Sequence, residues 1–493
     1  MSELKTIARH AATVLVGQLA VMAFGVTDTI VAGRYSEASL AALSIGSAIF
    51  ISVFVALMGV MQALLPVWAQ QHGARRHAEV GRSMRQALYL CIITILIGSM
   101  ALLFPGPLLR WTEVPASLQG EVEHYLAVLA LALPPALLFR MYSTLNQSLG
   151  RPVLVTWLQI GSLFIKIPLS IWFAFGGLGL EPQGAVGCAW ATLVLNYAML
   201  ALALWMLRTQ ELYHPYRIWR RPERPDWRQI GEFARLGLPG GLAVMVEVTS
   251  FTLMALFIAR QGAVASASHQ IASNLTAVLY MVPLSIAIAT SARVSYWLGA
   301  GEPRRAGAAI RAGFGLAALM ALTLAASLLM AREALAAVYA RNPAVIALAS
   351  SLLLWVGAYH LADSMQALCV FVLRCYRVTV APLLVTWLQI GSLFIKIPLS
   401  IWFAFGGLGL EPQGAVGCAW ATLVVNYAML GLALWMLRTQ ELYQAYRIWQ
   451  PLERPDWRQI GEFARLGLPG GLAVMVEVTS FTLMALFIAR QGA

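Results

Sequence analysis

Apolar residues fall in long blocks along this chain, parted by short polar stretches. Residues 87–105, 154–175, 189–207 and 312–330 are typical blocks. A helix of about 20 apolar residues crosses the roughly 30 Å hydrocarbon core of a bilayer. The pattern therefore predicts helical spans near 11–33, 42–69, 86–107, 122–143, 154–177, 187–207, 236–259, 268–295, 308–330, 344–372, 384–407, 417–437 and 466–489. The fold class this predicts is an all-α polytopic membrane protein. One polar stretch, 208–235, carries Arg217, Arg220, Arg221, Glu223, Arg224, Asp226 and Arg228. It sets an amino-terminal six-helix bundle over 1–207 apart from a second over 236–437, with 208–235 as a cytoplasmic linker. The run GARRHAEVGRSMRQA after the second span resembles GEPRRAGAAIRAG after the eighth, as two pseudo-repeated halves would produce.

Composition agrees with that class. Hydrophobic residues make up 60% of the chain and charged residues 11%, whereas about a quarter of a soluble domain is charged. The formal charge of +12 first suggests nucleic acid, but its placement gives it a topological role. With the amino terminus inside, the outer segments hold only Arg34, Arg110, Arg260, Arg332, Arg341 and Arg490. Lys166 and Lys396 lie within spans, and the remaining Lys and Arg residues belong to cytoplasmic segments. This is the positive-inside bias, so the lipid bilayer is the expected partner and nucleic acid is not. Lys5, Arg9 and His10 precede the first span without a cleavage site, which predicts a retained cytoplasmic tail. Cys91, Cys188, Cys369, Cys375 and Cys418 lack metal-like spacing and predict apolar packing without a disulfide framework.

A near-copy complicates the count. Residues 384–493 repeat residues 154–263 at an offset of 230. Only Leu195, Ala201, His214, Pro215, Arg220, Arg221 and Pro222 change, to Val425, Gly431, Gln444, Ala445, Gln450, Pro451 and Leu452. A single long unit present twice differs from solenoid repeats of 20–50 residues and reads as a recent rearrangement. Its first two helices fall where the eleventh and twelfth spans of two equivalent halves belong. The duplicated linker and extra helix of 438–493 have no equivalent place, and a thirteenth span would put the carboxyl terminus outside.

Six ionisable residues stand out within spans: Asp28, Lys166, Glu247, Asp363 and the copies Lys396 and Glu477. A charge at the centre of a span costs about 2.5–3.5 kcal/mol on an insertion scale, which argues for a polar cavity or a partner. One reading is a permanent internal salt bridge or polar helix contact. The other is a proton, ion or cationic-substrate site, because a buried carboxylate can give up its proton when a cation arrives. Tyr359 lies four positions before Asp363 on the same helical face. Its hydroxyl can bond the carboxylate or offer an oxygen to Na+; aromatic packing is the plainer alternative. Lys166 lies too deep in its span for snorkelling, and an internal ion pair with Asp28 is the expected arrangement. Its ammonium would then take a metal ion's place and shift coupling toward the other carboxylates. Pro168, Pro239 and Pro283 supply kinks that suit hinges or static bends.

Several runs together carry a family resemblance. They are VTDTIVAG at 26–33, PVWAQQHG at 66–73, AVGCAWAT at 185–192, LGLPGGLAVMVEV at 236–248, ASHQIASN at 267–274, VPLSIAIATSARVSYWLGAG at 282–301 and YHLAD at 359–363. Their order and spacing resemble the MATE (multidrug and toxin extrusion) transporters, NorM-like bacterial branch. The resemblance implies two six-helix bundles around a central cleft, here with a possible thirteenth helix. It also implies a multi-pass protein of the bacterial inner (cytoplasmic) membrane, a monomer with a cytoplasmic amino terminus. The implied activity is secondary active multidrug efflux, exporting cationic, often aromatic compounds in exchange for Na+ or H+ by alternating access. No cofactor beyond the coupling ion is implied. Asp28 matches the carboxylate of the family's first helix, Glu247 and Asp363 match carboxylates of the carboxyl-terminal bundle, and Tyr359 matches a tyrosine near that cation site. Asp28, Glu247, Tyr359 and Asp363 are therefore the expected ion-coupling and substrate-binding residues, with Glu247, Tyr359 and Asp363 as candidate Na+ ligands. Lys166 and Ser170 stand where the branch commonly has asparagines, which weakens the case for a metal site in the amino-terminal bundle. Beyond about Pro382 the copied block replaces the family's own last helices; Lys396 would bring a new cation there, and Glu477 is set aside as a passenger of duplication.

Two other classes compete with efflux: a flippase-like exporter of lipid-linked or polysaccharide precursors, and an inactive rearranged paralogue. A flippase would want interior Arg and Lys for phosphate, while the interior charges here are mostly carboxylates. An enzyme is not expected, since phosphate-loop and zinc-protease signatures are absent.

Overall fold

The computed structural model describes residues 3–106, 109, 116–177, 179–259, 262–340 and 342–376, and in the copied region residues 395, 398–404, 406, 411 and 413–439. The expected thirteenth span, Lys396 and Glu477 lie outside the described residues. In chain order the helices are α1 (Glu3–Tyr35), α2 (Glu37–Gln62), α3 (Leu65–Gly73), α4 (His77–Leu103), α5 (Ala116–Ser148), α6 (Val153–Phe175), α7 (Gly184–Thr209), a 3-10 turn (Glu211–Tyr216), α8 (Trp227–Ala259), α9 (Ala263–Gly299), α10 (Pro303–Tyr339), α11 (Pro343–Cys375) and α12 (Gly414–Thr439). Every regular element among the described residues is helical. Ten helical stretches among them are long and apolar enough to cross a membrane. The protein is an all-α polytopic membrane protein.

The expected second span, 42–69, is broken in two. Pro66 stands in the first turn of α3, and without an N–H it cannot continue the ladder from α2. The chain tightens there instead, with Leu64 N donating to Met61 O at 3.2 Å.

The polar stretch expected as a linker over 208–235 is shorter and more ordered than the sequence pattern suggests. Helix α7 runs to Thr209 and α8 begins at Trp227, so the connection spans 210–226. Asp226 caps α8: its Oδ1 accepts from Arg228 N at 3.2 Å and Gln229 N at 3.3 Å. Side chains of α4 hold the connection down. Arg85 donates to Arg217 O and to Glu223 Oε1, both at 2.8 Å. Tyr89 donates to Glu223 O at 2.8 Å, and Gln86 donates to Arg224 O at 3.1 Å. Gly81 lets the Tyr216 carbonyl come against α4, where any Cβ would collide with backbone.

Internal contacts divide the chain into two units: residues 16–245, and residues 1–15 with 246–493. The boundaries fall inside α1 and α8 rather than at the ends of 208–235. Burial explains the difference. In the first unit Ile230 and Phe233 of α8 are buried in one core with Trp68, Tyr142 and Tyr213. There α2 and α8 also approach through glycines; a Cβ on Gly59 would lie 2.8 Å from Gly241 Cα, the close backbone contact that small residues permit in membranes. In the second unit Leu4, Ile7 and Ala11 of α1 are buried with Ile286, Ile310 and Leu368. Its α12 packs on α11, with the rings of Trp355 and Trp420 4.4 Å apart and Tyr427 donating to Ala358 O at 3.0 Å.

Candidate functional site

Three helices of the unit 16–245 bring their polar groups to one buried point. Helix α1 supplies Asp28, α6 supplies Lys166 and Ser170, and α7 supplies Cys188 and Thr192. Lys166 and Ser170 are four residues apart, as are Cys188 and Thr192, so each pair shares a helical face. Lys166 Nζ lies 2.9 Å from Asp28 Oδ1. The ammonium also donates to Thr192 Oγ1 at 2.6 Å and to Cys188 O at 3.1 Å. Ser170 Oγ donates to Asp28 Oδ1 at 2.9 Å. Lys166 is 1% exposed and Asp28 9%.

This arrangement answers the cost of burial. Two desolvated charges repay their transfer from water only with good geometry and partners for their other hydrogen-bonding positions. Lysine has three donors, and all three find oxygen. Thr192 passes its own proton to Cys188 O at 3.0 Å, which leaves a lone pair of its hydroxyl facing the ammonium. The Cys188 carbonyl and Thr192 hydroxyl were not legible as site groups, although the four-residue spacing of Cys188 and Thr192 is a signal for them.

The unit 1–15 with 246–493 holds the second set. Tyr359 and Asp363 lie one helical turn apart on α11, Tyr359 buried and Asp363 half-buried. The Tyr359 hydroxyl is 3.3 Å from Thr276 Oγ1 of α9. Thr276 spends its proton on Ala272 O at 2.8 Å, so Tyr359 is the donor between them. Glu247 lies on the helical backbone of α8, but its side chain is outside the described residues. Among the described residues no three His, Cys, Asp or Glu side chains gather as a metal centre.

Arg140 is a further buried charge, missed because it stands near the end of its apolar block. On α5 it is buried and donates to Gln62 Oε1 at 2.7 Å, while Gln62 donates to Gln147 Oε1 at 3.1 Å.

The copied helices repeat part of the local geometry of the first site among the described residues. Thr422 Oγ1 donates to Cys418 O at 3.0 Å, as Thr192 does to Cys188 O. Gly187 abuts the Phe173 carbonyl and Gly417 abuts the Phe403 carbonyl. Ser400, the counterpart of Ser170, is buried, and its hydroxyl has no partner among the described residues.

The family model described as MatE matches residues 14–172 and 239–402. A probable multidrug resistance protein NorM of Aromatoleum aromaticum is 36% identical over 430 residues, covering 87% of this chain and 92% of that protein. Multidrug resistance protein PmpM of Pseudomonas aeruginosa is 33% identical over 462 residues, covering 92% and 95%. Among solved structures, the eukaryotic MATE transporter AtDTX14 has a TM-score of 0.78 at 19% identity, covering 90% of this chain and 97% of that one. A mutant of the Vibrio cholerae MATE transporter VcmN also has 0.78, at 18% identity, covering 90% and 98%. At such identities the structural likeness speaks for the fold.

Proposed function

This chain belongs to the MatE family of NorM-like transporters, and on that premise we propose that it is a secondary active multidrug efflux antiporter. It exports cationic, often aromatic compounds in exchange for Na+ or H+ across the bacterial inner membrane, by alternating access. The observation that carries this reading is the pair of carboxylates on membrane helices, Asp28 on α1 and Asp363 on α11, one buried and one half-buried. A carboxylate in low dielectric binds either a proton or a cation, and the arrival of one favours release of the other. That exchange is what an antiporter requires at its coupling site.

In this reading Asp363 and Glu247 take the coupling ion. Tyr359 shares the helical face of Asp363 and offers a neutral oxygen. Asp28 attracts the cationic cargo or a proton while held by Lys166 and Ser170. The names of the two NorM and PmpM relatives as multidrug resistance proteins support the cargo class. The test is ethidium efflux by proteoliposomes of the purified chain under an imposed Na+ or pH gradient. Gradient-driven efflux that falls at least tenfold in Asp363→Asn supports the reading. Efflux indifferent to both gradients, or unchanged in Asp28→Asn and Asp363→Asn, would sink it.

A second reading, an inactive rearranged paralogue, draws on the Ser400 hydroxyl, buried without a partner among the described residues. Exchanging residues 384–493 for an ordinary family ending separates the two. Efflux that appears only after the exchange ties inactivity to the duplication.

A further inference from the structure

We propose that Arg140 and Thr144, toward the carboxyl-terminal end of α5, hold one small monovalent anion of the chloride class. The inference concerns ion binding within the unit 16–245 and does not rest on the transport reading.

The charge on Arg140 carries it. The residue is 8% exposed, and a guanidinium keeps its proton even when buried. Other buried cations of the unit have counter-charges: Lys166 has Asp28 at 2.9 Å, and Arg85 has Glu223 at 2.8 Å. Among the described residues no carboxylate pairs with Arg140. Its acceptor is neutral instead. Gln62 Oε1 accepts from Nη2 at 2.7 Å, Gln62 Nε2 donates to Gln147 Oε1 at 3.1 Å, and Gln147 Nε2 donates to Ser143 Oγ at 3.4 Å. This relay turns an amide oxygen toward the guanidinium and fixes it there. It supplies dipoles and no charge, so the cost of burying a cation stands uncompensated.

Two donors of α5 also lack an acceptor. Arg140 Nε is enclosed with no hydrogen-bond partner among the described residues, and so is Thr144 Oγ1. Thr144 follows Arg140 by four residues, on the same helical face. Threonines within these helices commonly donate to the carbonyl four residues back, as Thr27, Thr276 and Thr323 do. Thr144 does not, so its proton is left for another acceptor. A buried donor without an acceptor carries its full desolvation cost. One anion accepts from both groups and balances the guanidinium at the same time, whereas water would satisfy the donors and leave the charge. Gln62, Arg140, Ser143, Thr144 and Gln147 are all buried, which favours a compact anion over one that carries a lipid tail.

The experiment uses the purified full chain in detergent and reads thermal stability and equilibrium 36Cl− binding. Potassium chloride and potassium gluconate are compared at equal ionic strength, so only the anion changes. The unmodified chain should bind a single 36Cl− saturably and unfold several degrees higher in chloride. Arg140→Gln should lose both effects. Thr144→Val, which keeps the shape and removes one donor, should weaken binding about tenfold. Gln62→Glu places a carboxylate where the guanidinium already finds its acceptor. That variant should be as stable in gluconate as the unmodified chain is in chloride, and should bind no 36Cl−. Arg85→Gln, which alters a buried arginine already paired with Glu223, should keep the site. The proposal is overturned if the unmodified chain binds no 36Cl−, even where chloride shifts its unfolding, because that shift is then a general salt effect. Binding that persists in Arg140→Gln or in Gln62→Glu overturns it equally. Should Arg140→Gln fail to fold, Gln62→Glu and Thr144→Val decide between the same outcomes. Efflux by the chain, present or lost, changes none of these results.

Discussion

Glu3 grips Arg293 with both carboxylate oxygens: Nε donates to Oε2 at 2.6 Å and Nη2 to Oε1 at 2.9 Å. The first turn of α1 is thereby tied to the last turns of α9. The guanidinium also lies 4.5 Å from the ring centroid of Trp297, with Arg305 at 4.7 Å from the same ring. Two-pronged, charge-assisted pairs are stronger than single contacts, although partial exposure screens this one. Glu3→Gln is expected to cost roughly 1–2 kcal/mol. Thermal unfolding in detergent should show a lower midpoint, and raising the salt concentration should narrow the gap from the unmodified chain.

Removing one partner of the buried pair costs more than removing both. Asp28→Asn leaves the Lys166 ammonium buried without a counter-charge, a loss of roughly 3–5 kcal/mol by analogy with other buried pairs. Adding Lys166→Met removes the stranded charge and should recover most of it. The two changes should therefore be strongly non-additive, in unfolding curves of the two single variants and the double one. Additive effects would mean that the 2.9 Å contact contributes little coupling.

The docking of 210–226 on α4 depends on a missing side chain. Gly81→Ala would drive a methyl group into the Tyr216 carbonyl, and backbone cannot step aside as a flexible side chain does. A cost of about 1–3 kcal/mol is expected from such overpacking. The connection should lift with it, freeing exposed Arg217 and Arg220 for trypsin. Limited proteolysis should then cut there several-fold faster, while Gly120→Ala, which meets no atom, should not change the rate.

At Tyr359 one hydroxyl serves both stability and the proposed coupling. Tyr359→Phe removes the 3.3 Å contact to Thr276 and should cost about 0.5–1.5 kcal/mol. Thr276→Val should cost a similar amount, and the double variant should fall short of the sum. In Na+-driven efflux only Tyr359→Phe should also raise the Na+ concentration needed for half-maximal rate. An equal shift in Thr276→Val would make Tyr359 a packing group held by that contact.

Much of the helical order was legible because a spanning helix must satisfy its own backbone in lipid, so apolar length marks each helix. The break before Pro66 was readable from the missing N–H, yet apolar residues on both sides mask it in a hydropathy pattern. The connection over 210–226 was less legible. A run of arginines reads as a solvated segment, and nothing local announces that Arg85 and Gln86, more than a hundred residues earlier, hold it to α4. The partition inside α1 and α8 was hidden for a related reason. Ile7 and Ile230 are apolar in any arrangement, and only their neighbours assign them to one core or the other.

The near-copy separates the two kinds of information within one chain. Residues 170–192 and 400–422 have the same sequence, and their backbones follow it. Gly176 and Gly406 take φ of 77° and 79°, and Gly184 and Gly414 take 53° and 58°, values that favour glycine because it has no Cβ. Helices α7 and α12 begin and end at matching positions. All of this the sequence determined by itself, since turns, caps and i,i+4 bonds are local. What it did not determine is what the two serines do. Ser170 donates to Asp28, 142 residues away, while Ser400 is buried with no partner among the described residues. A carboxylate brought in on α1 gives Ser170 a charged partner, although residues 170–192 and 400–422 are identical in sequence. Tertiary structure alone decides that, because buried charge needs partners delivered through space.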